Sequence, residues 1–297
     1  MRRWLLAAAA ALVAGCSSAP PVEQAAPIGL QEPIGAAAAP IETPAVTPRA
    51  YAAVVIDGRS GRVLHEANGS SLRYPASLTK MMTLYLLFEE LDAGRLSRGS
   101  SLAVSEEAAS RPSARLGLKA GSRITADTAA RALAVRSAND VAVVVAEELA
   151  GSEEAFARRM TQKARALGMS RTTFVNASGL PDPRQVTTAR DMAVLGRALS
   201  DDFPSWYTYF ATRSLTHNGR TWTNTNRLLA QLDGVDGIKT GYIRASGYNL
   251  VASVRRGGKH VIAVVIGGRS GAARNARMTE LVETYLPKAS RRGRFGF

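Results

Sequence analysis

The sequence predicts an α+β fold in which both ends of the folded region build one antiparallel sheet and a helical lobe is inserted between them. Two observations carry this expectation. Strand-like segments fall as a pair over residues 51–66 and as a group over 237–266, while the stretch between them reads mainly as helices. The hydrophobic fraction, 46% of 297 residues, supplies material for a substantial core.

Residues 51–57 read as a strand, 58–61 form a turn, and 62–66 return as its hairpin partner. Residues 76–91 are apolar on most faces and predict a helix buried in the middle of the domain. Helices are predicted over 125–135, 141–149 and 153–167, the last closed by Gly168, and an amphipathic one over 188–199. Asn218-Gly219 within 214–225 is a two-residue hairpin signal. Residues 237–243, 248–254 and 259–266 read as strands, and 272–285 as the closing helix.

Ahead of this region, Met1-Arg2-Arg3-Trp4 is a short basic segment, and the apolar stretch over 5–14 is about half the ~20 residues needed to span a bilayer. Residues 1–15 therefore read as an export signal with a small-residue cleavage site. Val13-Ala14-Gly15-Cys16 resembles a bacterial lipobox, which implies lipid attachment to Cys16, the one cysteine of the chain. An incidental cysteine after ordinary signal cleavage is the alternative. Residues 16–49, rich in Ala and Pro, are expected to be a linker able to reach on the order of 100 Å when extended. The folded domain is expected over 50–288, and a basic tail over 289–297. Together these features place the protein outside the cytoplasm, in the periplasm or cell envelope, held at a membrane through Cys16.

The net charge of +14 favours anionic surroundings. No basic run is interleaved with aromatics, so nucleic acid is not an expected partner. One cysteine excludes an intrachain disulfide and a cysteine zinc site. His65, His217 and His260 lack metal-ligand spacing and read as packing or surface residues, so no metal or cofactor is expected.

Three short motifs carry chemistry. Ser77-Leu78-Thr79-Lys80 follows Pro75, which suits a helix start. Ser77 and Lys80 then share a helix face, a hydroxyl beside an amine that can act as its base when neutral. The alternative is a capping serine and a solvated lysine. Ser137-Ala138-Asn139 sits between two predicted helices, either as an N-cap or at the edge of a cleft. Lys239-Thr240-Gly241 lies within a predicted strand, where glycine marks close approach by another backbone, or else a bulge. A substrate peptide could add beside such a strand, with Lys239 and Thr240 meeting a carboxylate.

Taken together and in this order, the motifs resemble the active-site set of penicillin-binding proteins and serine β-lactamases. Tyr74-Pro75-Ala76-Ser77, Asn176-Ala177-Ser178-Gly179-Leu180, Ala189-Arg190-Asp191 and Val235-Asp236-Gly237-Ile238 extend the likeness to the low-molecular-mass D-alanyl-D-alanine carboxypeptidases, over roughly residues 51–287. The resemblance implies a three-layer α/β/α fold with a central five-stranded antiparallel sheet and an inserted helical lobe. It implies a Ser77 acyl-enzyme formed on peptidoglycan stem peptides ending in D-Ala-D-Ala, and binding of β-lactam antibiotics. Lys80 would be the general base, Ser137 a proton relay between Lys80 and Lys239, and Asn139 a substrate or lysine partner. The backbone N–H groups of Ser77 and Tyr242 would form the oxyanion hole. Lys239, Thr240, Gly241 and Arg274 would bind substrate, with Arg269 in reserve for the terminal carboxylate.

Two departures stand out. Members of the family often continue into an all-β domain with a membrane-binding helix, whereas this chain stops about ten residues after its last predicted helix, which moves the expected anchor to Cys16. Ile243 stands where the family often has threonine. Other readings with the same motifs are a D,D-endopeptidase of cross-links, a β-lactamase, or a non-catalytic wall-binding lipoprotein. Residues 181–188 hold no glutamate to activate a deacylating water, which disfavours the β-lactamase.

Overall fold

A computed structural model describes residues 46–291. The expected signal, the lipid site Cys16, most of the linker and the end of the basic tail lie outside the described residues. The fold follows from continuous apolar runs that must be buried on both faces of a sheet. Strand β1 (Ala52–Asp57) pairs with β2 (Val63–Ala67) across the predicted hairpin. A 3₁₀ turn (Ala76–Thr79) leads into helix α1 (Lys80–Asp92). The helical lobe follows, with β3 (Ser101–Ala103), α2 (Glu106–Ser110), β4 (Arg123–Thr125), α3 (Ala126–Val135), α4 (Asn139–Ala150) and α5 (Glu153–Ala166). Next come α6 (Ala189–Asp202), α7 (Pro204–Tyr207), the Asn218-Gly219 hairpin of β5 (Ser214–His217) and β6 (Arg220–Thr223), and α8 (Leu228–Gln231). The chain closes with β7 (Val235–Ile243), β8 (Gly247–Arg256), β9 (Lys259–Gly268) and α9 (Gly271–Tyr285).

The main sheet has five strands in the order β2-β1-β9-β8-β7, all antiparallel. The expected sheet drawn from both chain ends is therefore present. Its two faces are both covered, which explains why β8 and β9 read as continuous apolar runs. On one face Val54, Ile56, Val251, Ile262 and Val264 pack with α1, α6 and the helical lobe. On the other, Val55, Leu250, Val261 and Val265 pack with Met278, Leu281 and Val282 of α9. The period of two along each strand divides these sets. Helix α1 is buried almost all round at the lobe's centre, as its apolar composition requires.

Two differences from the sequence reading concern boundaries. The helix expected from residue 76 opens with a 3₁₀ turn, because Ala76 sits at φ 49°, outside helical space. The stretch expected as linker up to residue 49 is already attached at its end. The Arg49 N–H donates to the Ala245 carbonyl at 2.9 Å, and its side chain to the Arg244 carbonyl at 2.8 Å.

The other end is tied down by Asp57, at the tip of β1. Its fully buried carboxylate accepts from the N–H groups of Arg59 and Ser60 and from both N–H and O–H of Ser290. Burial alone would raise its pKa, but these donors hold it down at about 2. The contribution is present above the ordinary carboxylate range and is lost as pH falls through about 2. Replacing Asp57 by Ala strands four donors, and we expect a loss of about 2–4 kcal/mol in urea unfolding at pH 7. An unchanged midpoint would show that the tie contributes nothing.

Candidate active site

The three motifs meet in one cleft of about 820 Å³. Ser77 enters it from the 3₁₀ turn ahead of α1. Ser137 and Asn139 enter from the α3–α4 turn, and Thr240, Gly241 and Tyr242 from β7, an edge strand of the sheet.

Lys80 is fully buried, and the Nζ of its side chain has three neighbours. It donates to the Ser178 carbonyl at 2.5 Å and to the Asn139 Oδ1 at 2.7 Å, and it lies 3.2 Å from the Ser77 Oγ. The first two partners can only accept, so each takes one N–H. Asn139 is fixed in that orientation because its Nδ2 donates to the Pro112 carbonyl at 3.0 Å. The remaining position of the lysine nitrogen faces the serine hydroxyl. In a neutral amine that position is the lone pair. Burial holds the Lys80 pKa well below the usual lysine range, and the charge of Lys239 pushes it further in the same direction.

Neither candidate cap does what a capping residue does. The 3₁₀ turn has Pro75 at its N-cap and α4 has Ala138, and neither makes a side-chain cap hydrogen bond. Elsewhere Ser105, Thr125, Ser152, Thr188 and Ser270 each accept from the N–H three residues on. The polar side chains of the two motifs point into the cleft instead.

Gly241 permits the close approach that its position in a strand suggested. A Cβ there would lie 3.0 Å from the Pro75 carbonyl oxygen and 3.2 Å from the Ser77 nitrogen. Asn249 of β8 braces the same corner by donating to the Tyr74 and Pro75 carbonyls, each at 3.2 Å. Lys239 is buried, and burial together with the neighbouring Arg274 lowers its pKa to about 7. Its Nζ donates to the Thr240 carbonyl at 3.0 Å. The Thr240 hydroxyl lines the cleft and donates to the Thr225 hydroxyl at 2.8 Å.

Ser137 is brought to the cleft, at φ 61°, but its buried Oγ has no hydrogen-bond partner. The expected bridge from Ser137 to Lys80 and Lys239 is therefore not formed in the ligand-free protein. Lys239 spends a proton on Thr240, and Lys80 has its three positions filled by other groups. Arg274 lines the cleft, whereas Arg269 is exposed and does not. The Arg274 guanidinium is held by the Asn249 carbonyl at 3.0 Å and by Asn275 Oδ1.

Several contributors escaped the sequence reading. The Ser178 carbonyl is held in place through its neighbour Ala177. The Ala177 N–H donates to Glu153 at 2.9 Å, and its carbonyl accepts from Thr83 at 2.7 Å. Asp140, fully buried, accepts from the N–H groups of Leu116, Gly117 and Leu118 and so clamps the loop carrying Ser113 and Ala114 against the cleft. Arg136 and Arg227 also line the cleft. The only signal for Ser178 was the glycine-bearing segment 176–180; a lone arginine gives none.

Comparison with known proteins places the chain in a family. A family model described as D-alanyl-D-alanine carboxypeptidase (peptidase S11) matches residues 38–270. The D-alanyl-D-alanine carboxypeptidase DacF of Bacillus subtilis is 36% identical over 239 residues, 79% of this chain and 61% of the relative. Among solved structures, penicillin binding protein 5 from Haemophilus influenzae superposes with a TM-score of 0.77 at 32% identity, over 82% of this chain and 72% of that one. Penicillin-Binding Protein D2 from Listeria monocytogenes, in a cefotaxime-bound form, gives a TM-score of 0.71 at 31% identity, over 80% of this chain and 97% of that one. The chain spans about three-fifths of the length of the DacF and DacC relatives it matches.

Gly179 offers a test of how rigidly the Ser178 carbonyl is held. Its φ is 84°, and a Cβ there would collide with the Ala76 carbonyl. Gly168 has φ 85° and open space around its missing Cβ. We expect Gly168→Ala to cost about 1–2 kcal/mol of backbone strain and Gly179→Ala at least about 2 kcal/mol more, read by denaturant unfolding. Equal losses would mean that the loop yields freely.

Proposed function

This chain belongs to the D-alanyl-D-alanine carboxypeptidase family, and from that premise we propose that it removes the terminal D-alanine from peptidoglycan stem peptides through a Ser77 acyl-enzyme. The observation that carries the reading is the buried Lys80 nitrogen, with two fixed acceptors and its third position on the Ser77 hydroxyl.

The Ser77 proton passes to Lys80 as Oγ bonds to the carbonyl carbon between the two D-alanines. Negative charge develops on the carbonyl oxygen, and the N–H groups of Ser77 and Tyr242 are assigned to it as an oxyanion hole, each worth about 3 kcal/mol. Gly241 supports this assignment by letting β7 approach the Ser77 nitrogen. The tetrahedral species collapses, the C–N bond breaks, and the leaving amine takes a proton through the Ser137 hydroxyl, whose unfilled hydrogen-bonding capacity suits it to a role that begins when substrate arrives. Water then attacks the ester and frees Ser77. Lys239, Thr240 and Arg274 hold the terminal carboxylate. A β-lactam, which presents a strained amide and a carboxylate, would acylate the same serine.

Export to the cell envelope, with a lipid on Cys16 and residues 16–49 as tether, belongs to this proposal and rests on the sequence. No helix among the described residues is long and apolar enough to cross a membrane.

A fluorescent penicillin tests the reading. Stable labelling is expected, abolished in Ser77→Ala and reduced about 10²–10⁴-fold in Lys80→Ala. Absence of label on the parent, or label that survives Ser77→Ala, sinks it. Labelling with rapid turnover would indicate a β-lactamase.

The pH profile gives an independent check. Lys80 must be neutral to accept a proton, and Lys239 must be charged to attract a carboxylate. For D-Ala release, kcat/KM should rise with pH as Lys80 loses its proton and fall above about pH 7 as Lys239 loses its own. Lys239→Arg, which keeps its charge, should abolish the falling limb. A falling limb that persists in that variant would assign it to another group.

A further inference from the structure

We propose that Arg136 and Arg227 form a second anion site on the leaving-group side of the cleft, so that the enzyme favours a leaving residue or strand carrying a carboxylate beyond the terminal one. This rests on the acyl-transfer reading above. Arg136, Arg227 and Arg274 line the cleft, and among the described residues no Asp or Glu does. Nor does any of the three form an ion pair among the described residues, although other arginines such as Arg95, Arg190 and Arg255 do. One further amine, Lys239, which the mechanism requires charged, lies buried beside Thr240. Like charges gathered without a counter-charge destabilise one another, and an anionic ligand relieves that repulsion.

Thr240 marks the side concerned. Its hydroxyl donates to Thr225, and the Thr225 N–H donates to the Val135 carbonyl at 3.3 Å, next to Arg136. Arg227 follows Thr225 by two positions and is near enough to Arg274 to help lower its pKa to about 10, a shift due mainly to burial. Arg136 and Arg227 are thereby placed around Thr225 and Thr240, with Arg274 close to Arg227. A guanidinium has five donors. Arg274 directs three of its own to Asn249 and Asn275, leaving two, a match for a single carboxylate. Arg136 donates its Nε to the Arg115 carbonyl at 3.3 Å and keeps its terminal nitrogens for a ligand. One terminal carboxylate, met by Thr240 and Arg274, leaves Arg136 and Arg227 for another anion. That anion would be the side chain of an acidic terminal residue or an acidic group on a cross-linked strand.

Peptides that differ only in the leaving residue, D-Ala, D-Gln or D-Glu, test this. D-Glu and D-Gln match in size and differ in charge. We expect kcat/KM to favour D-Glu over D-Gln by about tenfold at low ionic strength, the ratio shrinking with added salt. It should fall toward one in an Arg136→Gln, Arg227→Gln double variant and survive in part in the corresponding lysine variants, with penicillin labelling confirming that each folds. A cross-linked dimer with free or amidated carboxylates beside the scissile bond separates the two sources. Preference for the free form assigns the site to a cross-linked strand, and indifference with the D-Glu preference intact assigns it to an acidic terminal residue. A parent ratio near one, or a ratio that survives the double glutamine variant, overturns the second site while leaving D-Ala release untouched. Failure of both labelling and D-Ala release would instead remove the premise.

Discussion

A buried amine dictates the layout of this protein. Lys80 is fully buried and, among the described residues, forms no ion pair with a carboxylate, so its N–H groups must find fixed acceptors inside the fold. One comes from the start of α4 and the other from the backbone beyond α5, far away in sequence. Bringing both to the first turn of α1 fixes the relative positions of three segments. Asn139 is thereby committed on both sides of its amide. Ala177 is clamped by Glu153 and Thr83 so that the next carbonyl points the right way. The same burial that makes the amine demanding also favours its neutral form, which is the form the proposed chemistry needs.

The residues that serve the cleft forgo ordinary stabilising roles. The cap positions beside Ser77 and Asn139 are held by Pro75 and Ala138, which make no side-chain cap, a role that served elsewhere would contribute about 1 kcal/mol each. Ala76 and Ser137 occupy the left-handed region, at φ 49° and 61°, a conformation costly for residues with a Cβ. Both strained positions adjoin or belong to the motifs. The well-capped helices α2, α3, α5, α6 and α9 and the two-sided core offset this, so local strain persists where the surroundings leave no alternative.

Much of the architecture was legible because its signals are local. The apolar run of β1, the Asn218-Gly219 turn and the apolar wheel of α1 each report an element directly, and strands at both ends of the folded region implied a shared sheet. The three-residue strands β3 and β4 and the short helices α2, α7 and α8 were not, since none completes enough of a period to stand out. Of the site, the side chains that carry chemistry were legible as motifs. The carbonyl of Ser178 was not, because a backbone oxygen leaves no trace in residue identity. Arg227 is one of 38 Lys and Arg residues, with nothing in its spacing to set it apart. The unpartnered state of Ser137 depends on where Lys239 spends its protons, which only the folded arrangement decides.

The sheet order has a consequence for synthesis. Strand β1, the first to leave the ribosome, lies between β2 and β9, and its long partner β9 is among the last segments made. Until Val261 to Ile266 emerge, one side of β1 has no neighbour, and the hairpin with β2 alone is marginal in water. The nascent chain therefore cannot complete its central layer early, whatever its helices do. Such a polypeptide closes its central sheet only near the end of synthesis, a property that would suit the export proposed above, in which the chain passes a narrow channel before it takes its final shape.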